Sequence, residues 1–330
     1  MMKNNSKKTL VCFVTFALIL VACSHIEKDN YSTKDAGLSK QKSRYIQDLE
    51  FISKLPRTPG SDHHKQVQKM CANRFKGLGF QVELHDYGSG VNVIGVLPGI
   101  QDPTEKILVS AHYDTVPDCN GADDNATGIA GVLEIARLLI PKQHYRTLVV
   151  ACWDQEEHQT LGSKEFVIRE KNIGSEIKMS YVFEMIGYKS NKPNSQHIPS
   201  GFEMLYPKLV NQIQRNQKRG DFILLVYDEL ATVMLSNIAD YAEMQNLPLL
   251  QIEVSSNMKR SSSHHDLRRS DHSAFWDADI PAVMITDTAN FRNQNYHCLK
   301  GADDFDSLDI DFAIKTINVI SKTIEDNLAE

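Results

Sequence analysis

The chain has 330 residues, of which 42% are hydrophobic and 24% charged, so it can bury a sizeable core and is neither collagenous nor broadly disordered. Its formal net charge is −6, and it becomes −9 without Lys3, Lys7 and Lys8, which argues against binding to nucleic acid. The one long apolar run, about thirteen residues over 10–22, is shorter than the roughly 20 of a spanning helix and excludes a polytopic membrane protein.

Residues 1–22 have the layout of an export signal: a lysine-bearing start, an apolar stretch and a small residue before a cleavage point. An uncleaved anchor is the alternative. The sequence Leu-Val-Ala-Cys at 20–23 resembles the lipobox of bacterial lipoproteins, which implies that Cys23 is acylated and becomes the mature N-terminus. The protein is then exported and held at the cell envelope by its lipid. In a diderm bacterium, Ser24 rather than Asp after the cysteine implies the outer membrane.

The segment 23–42 is polar and lacks a periodic apolar pattern, which predicts a tether ahead of a single folded domain over 43–330. Outside the leader and its Cys23, four cysteines are too few and too scattered for a disulfide scaffold. They allow one bridge, and the pairing is left open. These cysteines are Cys71, Cys119, Cys152 and Cys298.

Apolar residues recur at helical spacing over 45–55 and 67–78, with a loop at 56–60 between the two predicted helices. Further helices are expected at 126–139 and about 308–327. Alternating or continuous apolar runs predict strands at 81–85, 91–97, 106–111, 147–153, 179–183, 222–226 and 281–286. This alternation predicts an α/β fold: a single domain with a mixed, mostly parallel central sheet, covered by helices on both faces.

In such a sheet, ligands bind at the carboxyl ends of the strands. His112 ends one predicted strand, and Asp114, two residues on, is placed to accept its imidazole N–H and to orient the other nitrogen toward a metal. Glu156 and Glu157 follow another strand, where two adjacent carboxylates repel and need a cation. Taken singly, each of these groups also fits a structural role, as does the Asp-rich turn at 121–128, which could cap a helix.

Taken together, the strand ends and the loops after them carry five nitrogen and oxygen ligands without a thiolate. Such a set suits Zn²⁺, with Mn²⁺ or Co²⁺ as substitutes. Five ligands, one of them bridging, are enough for two metals about 3.5 to 4 Å apart. The five residues are His112, Asp124, Glu157, Glu184 and His297.

Six short motifs follow one another between about residue 55 and the C-terminus. They are Ala-His-Tyr-Asp-Thr at 111–115, Gly-Ala-Asp-Asp-Asn-Ala-Thr-Gly at 121–128, Glu-Glu at 156–157, Phe-Glu-Met-Ile-Gly-Tyr at 183–188, Arg-Ser-Asp-His-Ser-Ala-Phe-Trp at 269–276 and Asn-Tyr-His at 295–297. In these motifs the chain resembles the co-catalytic zinc aminopeptidase family, which includes bacterial leucyl aminopeptidases and is related to glutamate carboxypeptidase and glutaminyl cyclase.

The resemblance implies one zinc held by Asp124, Glu157 and His297, and a second held by Asp124, Glu184 and His112, with Asp124 bridging. It further implies that Glu156 is the general base for the attacking water and then protonates the departing amine. Asp114, next to His112, and Asp271, in the Ser-Asp-His motif, are expected to support the ligands.

The chain departs from the family at three points. Most familiar members have Asp where this chain has Glu184, which leaves the occupancy of the second zinc site open. Cys298 stands where Thr is common and Cys119 precedes the bridging aspartate; each is inert, an additional soft contact, or half of a disulfide. Residues 257–267, which include Ser-Ser-Ser-His-His at 261–265, look like an insertion and are expected to form a solvated loop. The alternatives are that they shape the substrate pocket or bind adventitious metal.

The predicted function is a zinc-dependent exopeptidase, an aminopeptidase that acts on peptides; the choice against a dipeptidase or a carboxypeptidase rests on the resemblance. Two alternatives are a single-zinc glutaminyl-cyclase-like transferase and a non-catalytic homologue that only binds partners. Asp123 and Asp124 followed by Asn125 favour hydrolysis, and competent groups at every ligand position and at the base disfavour the binding protein. The side-chain preference and the oligomeric state are left open.

Overall fold

The computed structural model describes residues 36–329, without the side chains of 262 and 263. The predicted export signal, Cys23 and most of the predicted tether lie outside these residues. The chain divides into two units, 1–44 and 45–330. Residues 36–44, the described part of the first unit, are helical although they overlap the predicted tether. Within 36–329, no helix combines the length and apolar composition needed to cross a bilayer.

The second unit is an α/β fold built on one eight-stranded sheet. Its strands are β1 (Gln81–Asp86), β2 (Val91–Leu97), β3 (Asp102–His112), β4 (Arg146–Trp153), β5 (Glu176–Glu184), β6 (Ile223–Asp228), β7 (Leu249–Val254) and β8 (Ala282–Thr286). Its α-helices are α1 (45–52), α2 (Asp62–Gly77), α3 (Gly128–Leu139), α4 (Leu161–Asn172), α5 (Phe202–Leu205), α6 (Pro207–Arg215), α7 (Ile238–Met244), α8 (His272–Asp277) and α9 (Ile310–Ala329).

The strand order is β1-β2-β4-β3-β5-β8-β6-β7. The four central strands β4, β3, β5 and β8 are parallel, whereas β1 with β2, β2 with β4 and β6 with β8 pair antiparallel. This confirms the predicted mixed sheet. Because the central strands are parallel, their carboxyl ends meet at one edge, where His112 pairs with Trp153 and Glu184 pairs with Thr286.

Successive side chains of the central strands pack alternately into two hydrophobic cores, one on each face of the sheet. In β3, Val109 belongs to the core formed with α2, α3 and α9, while Leu108 belongs to the core formed with α4, α6 and α8. The same alternation separates Val150 from Val149 in β4. A strand buried on both faces needs a continuous apolar run, which is the pattern in the sequence. Helices cover both faces, as predicted.

Two local features differ from the sequence prediction. The strand β7 was not predicted, although residues 250–254 alternate apolar and polar side chains as a strand with one buried face does; Gln251 and Glu253 are exposed on this edge strand. The regular part of α3 begins at Gly128 rather than at Ala126. Residues 122–127 form a wider turn in which Asp124 has non-helical backbone angles (φ −101°, ψ 93°).

Candidate metal centre

The acidic and histidine residues at the sheet edge lie on five separate segments. His112 is the last residue of β3 and Glu184 is the last residue of β5, while Glu157 follows the end of β4. Asp124 belongs to the wide turn before α3, and His297 to the loop after β8. The parallel strands bring these segments to one edge of the sheet.

Asp124 lies at the centre of the arrangement. Its Oδ1 is 3.3 Å from Nε2 of His112, and its Oδ2 is 3.2 Å from Nε2 of His297. The turn that carries it is fixed by Asp303, whose carboxylate accepts the main-chain N–H groups of Asp123 and Asp124 at 3.0 to 3.1 Å. The carboxylate of Asp124 is therefore held between the two imidazoles.

The two imidazoles define two groups of ligand atoms that share Asp124. Nε2 of His112 is 3.6 Å from Oε2 of Glu184, and Nε2 of His297 is 3.1 Å from Oε2 of Glu157. Within each group, the candidate ligand atoms all lie within 4.8 Å of one another. These groups have the membership that the resemblance assigns to two zinc sites, and the role of each residue stays a prediction.

The nitrogen and oxygen atoms of the candidate ligands suit a zinc ion. Nε2 of His112 and Nε2 of His297 are buried and face carboxylate oxygens at 3.1 to 3.6 Å, yet within 36–329 neither has the geometry of a hydrogen bond, although buried polar atoms are normally paired. Nδ1 of His112 lies 3.4 Å from the carboxylate of Asp114 and 3.3 Å from its carbonyl oxygen, which leaves Nε2 for a cation. Imidazole nitrogens and carboxylate oxygens are common zinc ligands.

The electrostatics of the metal-free site also favour a bound cation. Burial raises the pKa of Asp124, but the imidazoles of His112 and His297 outweigh burial and hold that pKa well below its usual range. Burial lowers the pKa of His297, whereas Asp124 and Glu157 raise it to about 10. Protons on the imidazoles thus neutralise the carboxylates when no metal is bound, and a cation can replace them.

Asp114 links the predicted base to the first ligand. Its carboxylate faces His112 and also accepts the main-chain N–H groups of Glu156 and Glu157, at 3.0 and 3.2 Å. Burial, followed by Glu184, Asp271 and Glu157, raises the pKa of Glu156 well above its usual range, although His112 opposes this shift. A raised pKa suits a carboxylate that must both accept and return a proton near neutral pH.

The Ser-Asp-His motif lies against the site through two residues. The hydroxyl of Ser270 donates a 2.6 Å hydrogen bond to Oε2 of Glu184. The carboxylate of Asp271 is buried, and the side chain of Ser163 lies beside it. Burial raises the pKa of Asp271 to about 7, and the nearby imidazole of His112 opposes this. The role of Asp271 in supporting the ligands stays a prediction.

The sequence did not determine whether Cys119 and Cys298 form a disulfide. In the structure Cys119 and Cys298 form a disulfide, whereas Cys71 and Cys152 are buried and free. The bridge joins the loop before Asp124 to the residue after His297. Ser270 and Asp303, which contact the site, were not predicted as site residues from the sequence. The ends of these contacts are far apart in the chain, so local patterns carried no signal for them.

An apolar pocket opens beside Glu184. Arg269 and Tyr296 line the pocket, and Arg269 donates a 3.2 Å hydrogen bond to the Tyr296 hydroxyl. Asp266 and Leu267, from the predicted insertion at 257–267, also line the pocket, so this segment is not solely a solvated loop. Much of the wall is formed by Ile198, Phe202, Ile213, Phe222, Val226 and Met284.

Comparison with known proteins identifies similar sequences and folds. The sequence model described as "Peptidase family M28" matches residues 92–324. The uncharacterized protein YfbL of Escherichia coli (strain K12) is 33% identical over 202 residues, which cover 58% of this chain and 58% of YfbL. The match thus spans under two thirds of that relative's length.

Two solved structures share the fold at low sequence identity. The Legionella pneumophila LapA aminopeptidase superposes with a TM-score of 0.67 at 16% identity, covering 88% of this chain and 72% of LapA. The Fimbriiglobus ruber glutaminyl cyclase superposes with a TM-score of 0.60 at 16% identity, covering 86% of this chain and 94% of the cyclase. Because the two scores are close, the fold alone does not separate these two activities.

Proposed function

Because the chain belongs to peptidase family M28, we propose that it is a zinc-dependent exopeptidase, an aminopeptidase that removes N-terminal residues from peptides. The observation that carries the proposal is the pair of ligand groups that share Asp124, with Glu156 beside them. We propose that His112 and Glu184 complete one zinc site with Asp124, and that Glu157 and His297 complete the other.

Zinc bound in these groups would supply Lewis acidity toward the scissile carbonyl and would acidify a water molecule. The protein supplies the proton transfer: Glu156 takes a proton from the attacking water and returns one to the departing amine. Asp114 holds Glu156 and Glu157 by their main-chain N–H groups. This contact fixes the base relative to the ligand beside it.

The site carries several acidic groups. In addition to the ligands, Glu156, Asp114 and Asp271 contribute buried or partly buried acidic groups. Two bound zinc ions would offset much of this negative charge, so these acids alone do not select one peptide terminus. The proposal of an aminopeptidase rather than a carboxypeptidase is supported by the similarity of the fold to aminopeptidases.

The pocket beside Glu184 supports an apolar preference for the residue that is removed. Its Phe222, Val226 and Met284 offer surface that a leucine, methionine or phenylalanine side chain would bury. One methylene in an apolar pocket changes specificity by about 10- to 200-fold. We therefore expect Leu, Met and Phe substrates to have a kcat/KM at least tenfold above that of Ala substrates.

Glutaminyl cyclase chemistry is the second candidate, because a cyclase has the same fold. The complete second ligand group, His112 with Glu184, is the observation that disfavours a single-zinc transferase. The third candidate, a binding protein without activity, is disfavoured because every predicted ligand and the base are present at the site.

The decisive experiment assays the protein from Cys23 onward on a panel of aminoacyl anilides and on a Gln-initiated peptide. Amine release that a chelator abolishes and zinc restores supports the aminopeptidase, provided that E156Q is inactive. Pyroglutamate without hydrolysis supports the cyclase, and wild-type activity in E156Q refutes the assigned base. Metal analysis at saturation should give two zinc ions per chain for wild type and one for H112A.

We also propose that the protein is exported and anchored to the cell envelope through lipidated Cys23. The lipobox-like sequence at 20–23 supports this proposal. The full-length chain, expressed in a bacterial host with a radiolabelled fatty acid, should be labelled and membrane-associated. The C23A variant should lose the label, and label retention in C23A would refute the proposal.

A further inference from the structure

Arg57 is a buried cation beneath the candidate metal centre. Its side chain is completely buried, with 0% exposure, and its guanidinium group donates to five main-chain carbonyl oxygens. Four of the five belong to the chain between the end of β3 and the turn before α3. The accepting residues are Ile52, Tyr113, Asn120, Gly121 and Asp124.

The main chain of Arg57 is fixed to the same loop. Its N–H donates to the hydroxyl of Thr115 at 2.8 Å, and its carbonyl accepts the N–H of Thr115 at 3.3 Å. The main chain and the guanidinium group of Arg57 therefore both bond to the segment from His112 to Asp124. The arginine determines the path of the loop that joins these two ligands.

The contact with the Asp124 turn leaves no room for a side chain at Gly121. A Cβ atom there would lie 2.0 Å from the carbonyl oxygen of Asp124 and 2.9 Å from Nη2 of Arg57. Gly121 also has φ +56°, in the left-handed region that favours glycine. The close packing of guanidinium, loop and turn thus depends on a glycine at this position.

The charge of Arg57 has no partner in a direct ion pair within residues 36–329. A buried charge without compensation is costly, and here carbonyl dipoles and the field of nearby acids compensate it. The acids that act on it, in decreasing order, are Asp124, Asp303, Asp114 and Glu157. These include the shared ligand and a second ligand, so the cation opposes the mutual repulsion of the carboxylates in the site.

We infer that Arg57 is a positioning residue for the metal centre. It holds the loop that aims Asp124 between the two imidazoles, and its fixed charge lets the carboxylates assemble before metal binds. The inference rests on the proposed zinc sites. It predicts that Arg57 determines zinc affinity and ligand geometry, in addition to any contribution to folding.

The test compares R57K and R57M with wild type, with R292K as the matched control. Arg292 is also buried, but it donates to the main-chain carbonyls of Tyr188 and Phe222 and to Oε1 of Gln196, and not to the loop between His112 and Asp124. Zinc affinity is measured by competition with a chromophoric chelator, and ligand geometry by the visible spectrum of the Co²⁺-loaded protein. Thermal unfolding of each metal-free variant gives its folded fraction.

We expect zinc affinity per folded molecule to fall about tenfold in R57K and at least hundredfold in R57M, with an altered Co²⁺ spectrum in both. R292K should bind zinc within twofold of wild type with an unchanged spectrum. G121A should resemble R57K. If R57K binds zinc as wild type does, the inference is overturned while the zinc sites stand. If wild type itself binds no zinc, the proposed metal centre fails first.

Discussion

The hydroxyl of Ser270 donates a 2.6 Å hydrogen bond to Oε2 of Glu184, the oxygen that also faces His112. Glu184 is one methylene longer than the aspartate common in the family, and its longer side chain needs a fixed partner to hold its orientation. Ser270 provides that partner from the residue before Asp271, so one motif supports both the ligand and the electrostatics of the site.

The S270A variant should weaken the zinc site formed by His112 and Glu184. Loss of a group that orients a ligand reduces metal affinity by roughly 10- to 100-fold. A stepwise zinc titration by calorimetry should show the weaker of two binding events shifted by that factor, with the other unchanged. Equal weakening of both events would show that Ser270 supports the whole edge rather than Glu184.

The E156Q variant should keep its zinc and lose hydrolysis. Glutamine preserves the size of the side chain but cannot accept the proton of the attacking water, and general-base catalysis contributes roughly 10²- to 10⁴-fold. The expected result is a fall of that size in kcat at an unchanged zinc content. E165Q, at a partly buried position of α4, is a matched control that should keep wild-type kcat.

His272 should make stability depend on pH in the acidic range. Burial lowers its pKa to about 4, Nε2 donates to the Leu267 carbonyl, and Nδ1 has no hydrogen-bond partner among the described residues. Because the folded pKa lies below the unfolded value of about 6.5, the unfolded chain takes up the proton first as pH falls. The contribution of neutral His272 to the free energy of unfolding is therefore fully present above pH 6.5. It is lost as pH falls from 6.5 to 4, by about 3 kcal/mol at most.

The H272Q variant tests this dependence, because glutamine can still donate to Leu267 but does not titrate. Urea unfolding of the chelator-treated proteins at pH 7 and pH 4.5 should show a smaller loss of unfolding free energy in H272Q than in wild type. An identical loss in both proteins would assign the acid sensitivity to other groups.

The Cys119–Cys298 disulfide should stabilise the fold and hold the two ligand loops together. It closes a loop of 179 residues, and loss of a disulfide of this kind costs about 2 to 5 kcal/mol. The C119S/C298S variant should unfold at lower temperature than wild type and should no longer respond to a thiol reductant. C71A, which alters a free buried cysteine, should keep the full response to the reductant.

The local patterns of the sequence predicted the central strands and placed five candidate ligands at their ends. This worked because a strand buried on both faces needs a continuous apolar run, as in β3, and because parallel strands end at one edge. The same logic failed for β7, where only one face is buried and polar residues alternate with apolar ones.

The supporting contacts of the site could not be predicted because they depend on tertiary structure. Arg57 donates to main-chain carbonyl oxygens, which every residue has, so no particular residue type in the sequence indicates its partners. The partners Cys119 and Cys298 were both noticed, but nothing local joins residues 179 positions apart. Asp303 likewise binds main-chain N–H groups, of Asp123 and Asp124.

The covalent loop between Cys119 and Cys298 contains five of the eight strands, β4 to β8. A single cut of the backbone within that loop, for example beside the 84% exposed Met204, would leave all five candidate ligands in one covalently connected molecule. The cut ends would also remain paired through the sheet. A nicked protein should therefore separate into two fragments on a denaturing gel only after reduction, and the nick alone would detach none of the five candidate ligands.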